Sequence, residues 1–277
     1  TLIVGDMIKA LSSGKYDLSK TAVGITQTGG QCRASNYYAV IRKALVDAGF
    51  SQVPVISATM SSNVHTNQPG FKLDYKSIIV IAFDAMLFGD CLSKIYHSTA
   101  VRIDNPNIAL NLKNQYLERA KPIVLQKDRK ALIALLKEAV KEFNSLLPSE
   151  YIERKKVGIV GEIFLKFHPF ANQNIISWLM SQKIEVIPPT LTPFITQFFV
   201  NRDVKLDNNL DTSSIPNPIM RLIYGIVKKE ISRFNSIMSK FRYYSPIEDI
   251  YELAEDVKNV IPLVAQFGEG WALSAEI

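Results

Sequence analysis

Cysteine and histidine are scarce: the 277 residues hold two of the first and three of the second. Cys32 and Cys91 cannot by themselves complete a structural zinc site or an iron–sulfur cluster. They also exclude a disulfide-dense secreted scaffold. His65 and His97 stand alone, and no His-x-x-x-His or Glu-x-x-His spacing occurs. Long apolar runs are missing too. The longest, Ile78 to Gly89, contains Asp84 and falls far short of the roughly 20 residues that span a bilayer. No basic–apolar–small pattern of a signal peptide opens the chain, and there is neither a fixed-period repeat nor a low-complexity tract. The expectation is a cytoplasmic protein with no membrane partner.

What is present is ordinary for a globular protein: 47% hydrophobic and 21% charged residues, and a net charge of +6 from 32 basic and 26 acidic side chains. Such a chain buries a full core and makes one large or two modest domains. The basic balance permits nucleic-acid binding, but Arg154-Lys155-Lys156 and Lys228-Lys229 read as solvated faces without interleaved aromatics, so no nucleic acid is expected. The chain starts at Thr1 and stops at Ile277 in what reads as the first turns of a helix, so it is expected to be a fragment of a longer polypeptide.

Apolar spacing organises the chain into α/β segments. A helix is expected from Thr1 to about Leu11, then a strand at 21–26. A helix after Ser35 should bury Tyr37, Val40, Ile41, Ala44, Leu45 and Ala48 and stop at Gly49. A strand follows at 53–57, completing one βαβ unit whose crossover should be right-handed. Residues 74–96, 111–120 and 128–146 read as helices, the last with Leu132, Leu135, Leu136, Ala139, Val140 and Phe143 on one face; Pro106 and Pro122 punctuate. A second βαβ unit is expected from a strand at 156–161, a mostly looped 162–171, a helix at 172–182 and a strand at 184–187. Helices at 190–200, 219–244 and 246–257 complete the pattern, with a polar surface loop at 201–217. The expected fold class is therefore α/β, with Rossmann-like open parallel sheets, a helical insertion and C-terminal helices. The expected segments are 1–73, 74–150 and 151–277.

In open parallel sheets, ligands sit beyond the C-terminal strand ends, which directs attention to two loops. In 27–34, Gly29-Gly30 lets the backbone turn and expose its N–H groups. Cys32 falls just before a helix, whose N-terminal partial charge stabilises a thiolate, and Arg33 adds a cation. The same cysteine also reads as a small residue filling the junction between strand and helix. The loop lacks both the lysine of a phosphate loop and the three spaced glycines of a dinucleotide fingerprint. In 161–174, Glu162, Lys166, His168, Asn172 and Asn174 combine an acid, a base and amides at a strand end. His168 suits proton transfer near neutral pH. On the other reading, Asn172 caps the next helix and His168-Pro169 shapes the loop. Cys91, inside an apolar helix, reads as a packed and inert thiol.

The stretch Ser19-Lys20-Thr21-Ala22-Val23-Gly24-Ile25-Thr26-Gln27-Thr28-Gly29-Gly30-Gln31-Cys32-Arg33-Ala34-Ser35-Asn36-Tyr37, followed by Ile41-Arg42-Lys43-Ala44-Leu45, resembles the acyl-CoA dehydratase activase-related family, often labelled activators of 2-hydroxyglutaryl-CoA dehydratase. Val157-Gly158-Ile159-Val160-Gly161-Glu162-Ile163 with His168-Pro169-Phe170-Ala171-Asn172-Gln173-Asn174 resembles that family's second long motif. Gly268-Glu269-Gly270-Trp271 with Ala275-Glu276 resembles a third. The resemblance implies the dehydratase-like region of a long chain whose other domains are ATPase-type activases. There, ATP hydrolysis drives a low-potential electron into a dehydratase that removes water from a 2-hydroxyacyl-CoA through a ketyl radical.

By position, the resemblance makes Cys32 a ligand of a [4Fe–4S] cluster, with the other ligands outside this chain. Gly29, Gly30, Gln31 and Arg33 would surround that cofactor, and Glu162, His168 and Asn172 become candidate catalytic residues. It implies no ATP site in this chain and no activity for it alone. The partners would be the remaining domains of the same polypeptide and an acyl-CoA. Two rival expectations are a non-catalytic interaction module and a binder of a small molecule such as CoA or a nucleotide.

Overall fold

A computed structural model describes residues 2–27, 36–59, 74–210, 215–264 and 270–275. The protein is mixed α/β with two small parallel sheets of two strands each. It divides into two compact units, Thr1–Leu73 and Asp74–Ile277.

In the first unit, α1 (Leu2–Ser12) precedes β1 (Val23–Gln27), α2 (Tyr37–Asp47) and β2 (Val55–Thr59). The two strands pair in parallel with Val23 opposite Val55, and α2 makes the crossover between them. Leu11, Val23, Ile41, Leu45, Val53 and Val55 form the core. Because a two-stranded sheet is narrow, α2 buries a narrow stripe centred on Ile41 and Leu45. Val40 and Ala48, expected on that face, are exposed. Gly49 ends the helix at φ +84°, a conformation that a side chain disfavours. Its N–H donates to the Val46 carbonyl at 3.1 Å and that of Phe50 to the Leu45 carbonyl at 2.7 Å. This is the paired bonding of a Schellman stop.

The second unit opens with three helices: α3 (Tyr75–Ala100), α4 (Pro106–Leu125) and α5 (Arg129–Leu146). Asp74, Asn105 and Asp128 each cap the helix they precede through a side-chain oxygen. α4 is longer than expected at both ends. Pro106 takes a first-turn position, where its missing N–H costs nothing, whereas Pro122 lies inside the helix and leaves the carbonyl four residues before it without an intrahelical donor. All six residues expected on the inner face of α5 are buried. They meet Leu87, Phe88, Leu92 and Ile95 of α3 and Tyr116 of α4 in the main core. Cys91 lies in this core, fully buried, with its thiol held protonated by burial.

The second sheet pairs β3 (Lys156–Gly158) in parallel with β4 (Glu185–Ile187), and the intervening chain forms the short helices α6 (Ile163–Phe167) and α7 (Ile175–Ser181). An almost fully buried ion pair fastens this sheet to the bundle. Arg102 donates to Glu185 at 2.6 Å, and Ser98 donates to the other carboxylate oxygen. The guanidinium also donates to the Ser98 and Ile152 carbonyls at 2.7 and 2.9 Å and lies 3.7 Å from the Tyr243 ring centroid.

Among the described residues, four helices complete the unit: α8 (Thr192–Asp207), α9 (Asn217–Met238), α10 (Ile250–Val257) and α11 (Gly270–Ala275). α8 runs seven residues into the segment expected as a polar loop. Tertiary contacts hold that extension, since buried Arg202 donates to the Ile215 carbonyl and the Asn217 side chain, both at 2.8 Å. Its first turn has no cap of its own; instead the Asp90 carboxylate of α3 accepts from the Leu191 and Thr192 N–H groups and from the Thr192 hydroxyl at 2.6 Å. Val200, Ile250, Leu253, Val257 and Trp271 form a second core. The Trp271 indole N–H donates to Asn201 at 2.7 Å, so Trp271, in the third family-like motif, has a packing role.

Candidate functional site

The first candidate loop lies outside the described residues. Gly29, Gly30, Gln31, Cys32 and Arg33 all belong to it. The chain on either side is described: β1 leads in and α2 leads out, so these residues occupy the connection from the first strand of a parallel pair to its crossover helix.

The second loop is described, and it forms a cleft. Leaving β3, the chain passes through Gly161 at φ +144° and turns into α6. The Glu162 carboxylate accepts from the Leu165 N–H at 3.0 Å, and the Glu162 carbonyl from the Lys166 N–H at 2.9 Å, so Glu162 starts this helix. Residues 168–174 then fold on themselves. The Ala171 N–H donates to Nδ1 of His168 at 3.4 Å, the Asn172 N–H to the His168 carbonyl at 3.0 Å and the Asn174 N–H to the Pro169 carbonyl at 2.8 Å. Gln173 and Asn174 both adopt left-handed conformations, at φ +55° and +54°. Two such residues in succession reverse the chain before α7.

Between this turn and the end of β3 lies an open cleft of about 380 Å³. Gly158, Ile159 and Val160 line it at the strand end, and Lys166, Asn172 and Gln173 are its polar lining residues. Asn172 is held by its amide N–H donating to the Lys166 carbonyl at 3.1 Å, while its buried Oδ1 has no hydrogen-bond partner. The cleft therefore brings Lys166 and Asn172 together, whereas Glu162 and His168 are engaged in the backbone of the turn and are not part of its wall. Asn172 does not cap α7: the cap position belongs to Asn174, whose side chain makes no capping bond. Lys166 is buried despite its charge. With polar Lys166, Asn172 and Gln173 beside apolar Ile159, Val160, Leu165 and Ile175, the cleft suits a ligand with a polar end and an apolar body.

Gln173 has no signal in the sequence beyond its neighbours; its place in the wall comes from the left-handed turn. Lys166 is marked by its position in the loop and by Glu162 four residues before it.

No group of three or more His, Cys, Asp or Glu side chains among the described residues is arranged to hold an ion. Cys91 is shut in the helical core, with burial opposing the thiolate that iron requires. His97 is also enclosed: its Nδ1 lies 2.8 Å from the Ser93 carbonyl, and burial lowers its pKa to about 4. Among the described residues no helix is long and apolar enough to cross a membrane. No family model, curated protein or solved structure matches the chain.

Proposed function

We propose that the chain is the dehydratase-like region of an activase-related iron–sulfur protein acting on 2-hydroxyacyl-CoA substrates, built on two Rossmann-like units. One observation supports this reading above the others. Both long family-like motifs, 19–37 and 157–163 with 168–174, run from the first strand of a parallel pair towards the helix that crosses to the second: from β1 to α2, and from β3 to α7. Sheets of this kind place ligands at those connections.

The described residues do not furnish a ligand set for a [4Fe–4S] cluster. The reading assigns one ligand to Cys32 and the rest to other parts of a longer polypeptide, together with the ATPase-type domains that would deliver the electron. When bound, such a cluster supplies one-electron chemistry. This chain's own part is to bind and orient. Gly158 to Val160, Lys166 and Gln173 border the space at the end of β3, and Asn172 holds the turn that carries its wall. Glu162 and His168 set the shape of that turn.

Anaerobic reconstitution with iron and sulfide tests the reading. The polypeptide containing this region is expected to bind iron and develop a broad visible band, and Cys32→Ser is expected to lose both. Equal iron content and an unchanged band in the variant refute the ligand assignment.

The cleft itself favours a second reading, a module that binds CoA or a nucleotide without a cluster. Calorimetry on this chain with CoA esters and nucleotides separates the two. Heat that disappears in Lys166→Ala, with no iron bound by the parent, supports the second reading; no heat from either ligand refutes it.

A further inference from the structure

The second sheet leaves one strand edge unpaired. β3 is exposed at all three of its residues, Lys156, Val157 and Gly158. Its pairing with β4 fixes which way its backbone groups point. The Glu185 N–H donates to the Lys155 carbonyl at 2.8 Å, and the Ile159 N–H donates to the Ile187 carbonyl at 3.4 Å. Backbone groups alternate sides along a strand, so those of Lys155, Val157 and Ile159 face β4, and those of Lys156, Gly158 and Val160 face away from it. Among the described residues, none of these outward groups takes part in a hydrogen bond. β4 offers no matching edge, since Glu185 and Val186 are buried.

An open edge accepts another strand, and this one is complementary to itself. A two-fold axis through Gly158 sets two copies of 156–160 antiparallel. Gly158 then faces Gly158 of the second copy, and Lys156 faces its Val160. All three residues carry outward groups, so every outward N–H and C=O of the stretch meets a partner. A shift by one residue would set outward groups against inward ones. Gly158 suits the axis, because it brings no side chain to the crossing and nothing lies within 4 Å of where a Cβ would stand.

The side chains agree with that register. Val157, 37% exposed, falls opposite Ile159 of the second copy, in a closely spaced pair of β-branched side chains. Lys156 is the one charged residue of 156–160, and it falls opposite Val160, which is 42% exposed. The two copies of Lys156 stand about 14 Å apart along the strands, beyond the screening length of about 8 Å at physiological salt. The flanking Lys155 comes level with Gly161, where φ +144° turns the second copy away. A parallel copy in register would stack Lys156 on Lys156, so this cation selects the antiparallel pairing.

We infer that β3 pairs with β3 of a second copy, antiparallel about Gly158, and joins two sheets of two strands into one of four. A contact this short makes a transient dimer rather than an obligate one. The inference does not rest on the proposed function. Its test reads neither iron nor ligand heat, so failure of either leaves the other standing.

Sedimentation velocity of the 277-residue chain over the micromolar range tests it. The parent is expected to pass from monomer to dimer as its concentration rises. Val160→Lys sets a lysine opposite Lys156 twice in each dimer and is expected to raise the dimer Kd about tenfold. Val160→Glu gives Lys156 an opposite charge and is expected to lower it, and Val160→Lys combined with Lys156→Glu is expected to restore pairing. Lys156→Pro removes an outward N–H at the first strand position, which tolerates proline, and is expected to weaken the dimer. Unchanged tryptophan fluorescence and urea midpoint verify each fold. If the Val160 variants disturb folding, Lys156→Pro decides. A parent that stays monomeric overturns the inference and leaves the edge to a different polypeptide. A dimer that the folded variants leave unchanged, or that Val160→Lys and Val160→Glu weaken alike, overturns it too.

Discussion

Arg102→Met removes the cation that fastens the second sheet to the helical bundle, and its cost can be worked from the contacts. Side-chain exposure is 1% for Arg102 and 6% for Glu185, so solvent cannot replace the lost partner. The variant leaves a buried carboxylate with only the Ser98 hydroxyl facing it, and leaves two carbonyls, of Ser98 and Ile152, without their donor. Breaking a buried pair from one side costs about 3–5 kcal/mol. Glu185→Leu is expected to cost about as much, because it strands the guanidinium. The double variant removes both buried charges together and is expected to cost about 2 kcal/mol or more less than the sum of the singles.

Both tryptophans, Trp178 and Trp271, lie in the second unit, so urea unfolding followed by tryptophan fluorescence reads that unit alone. The consequence reaches the cleft. The Glu185 N–H donates to the Lys155 carbonyl at 2.8 Å, directly before β3, so hydrogen exchange should quicken at β3 and β4 before α5 changes. A single-variant cost below about 1 kcal/mol, or a double-variant cost equal to the sum, refutes the reasoning.

Three further outcomes are expected. Burial lowers the pKa of His97 to about 4 from an ordinary 6.5, so the unfolded chain takes up a proton first and stability falls as pH drops from about 6.5 towards 4. The loss approaches about 3 kcal/mol. Asp84 and Asp90, whose carboxyls burial pushes up, act in the opposite sense and lose stabilisation as pH rises. The measurement is therefore the difference between parent and His97→Gln urea midpoints across that range, and a constant difference counts against the assignment. Asp90→Ala should cost about 2–3 kcal/mol by uncapping α8, seen as a lower midpoint and faster exchange at Leu191 and Thr192, with Asp90→Asn in between. Cys91 should resist maleimide in the folded chain and react only at the unfolding rate; prompt labelling located to Cys91 by peptide mapping would disprove its enclosure in the core.

The elements legible in the sequence are those whose own side chains decide them. The inner face of α5 is readable because six apolar residues repeat at helical spacing and all are buried. Gly49 is readable because a left-handed stop favours glycine. α8 is not readable past Val200, since what keeps 201–207 helical is the reach of Arg202 to Ile215 and Asn217 and the packing of Val204 on the second core. The start of α8 is hidden for the same reason. Its cap is Asp90, about a hundred residues away, and within α3 that carboxylate reads only as an interruption in an apolar pattern.

The candidate site divides along the same line. That a cleft lies at the end of β3 follows from the strand, the glycines and the parallel crossover, all of which are local. Which side chains face it does not follow, because a turn with two successive left-handed residues sets their directions, and Gln173 and Asn174 carry no glycine to announce it. Glu162 and His168, the evident acid and base, accept from nearby backbone N–H groups, and Lys166 and Asn172 stand in the wall. Spacing can therefore nominate the loop, but only the backbone path chooses among its residues. It follows that replacing Gln173 or Asn174 by glycine should leave the cleft in place, because glycine accepts the left-handed conformation. A β-branched valine at either position should disturb Lys166 and Asn172 together, although it touches neither charge nor amide.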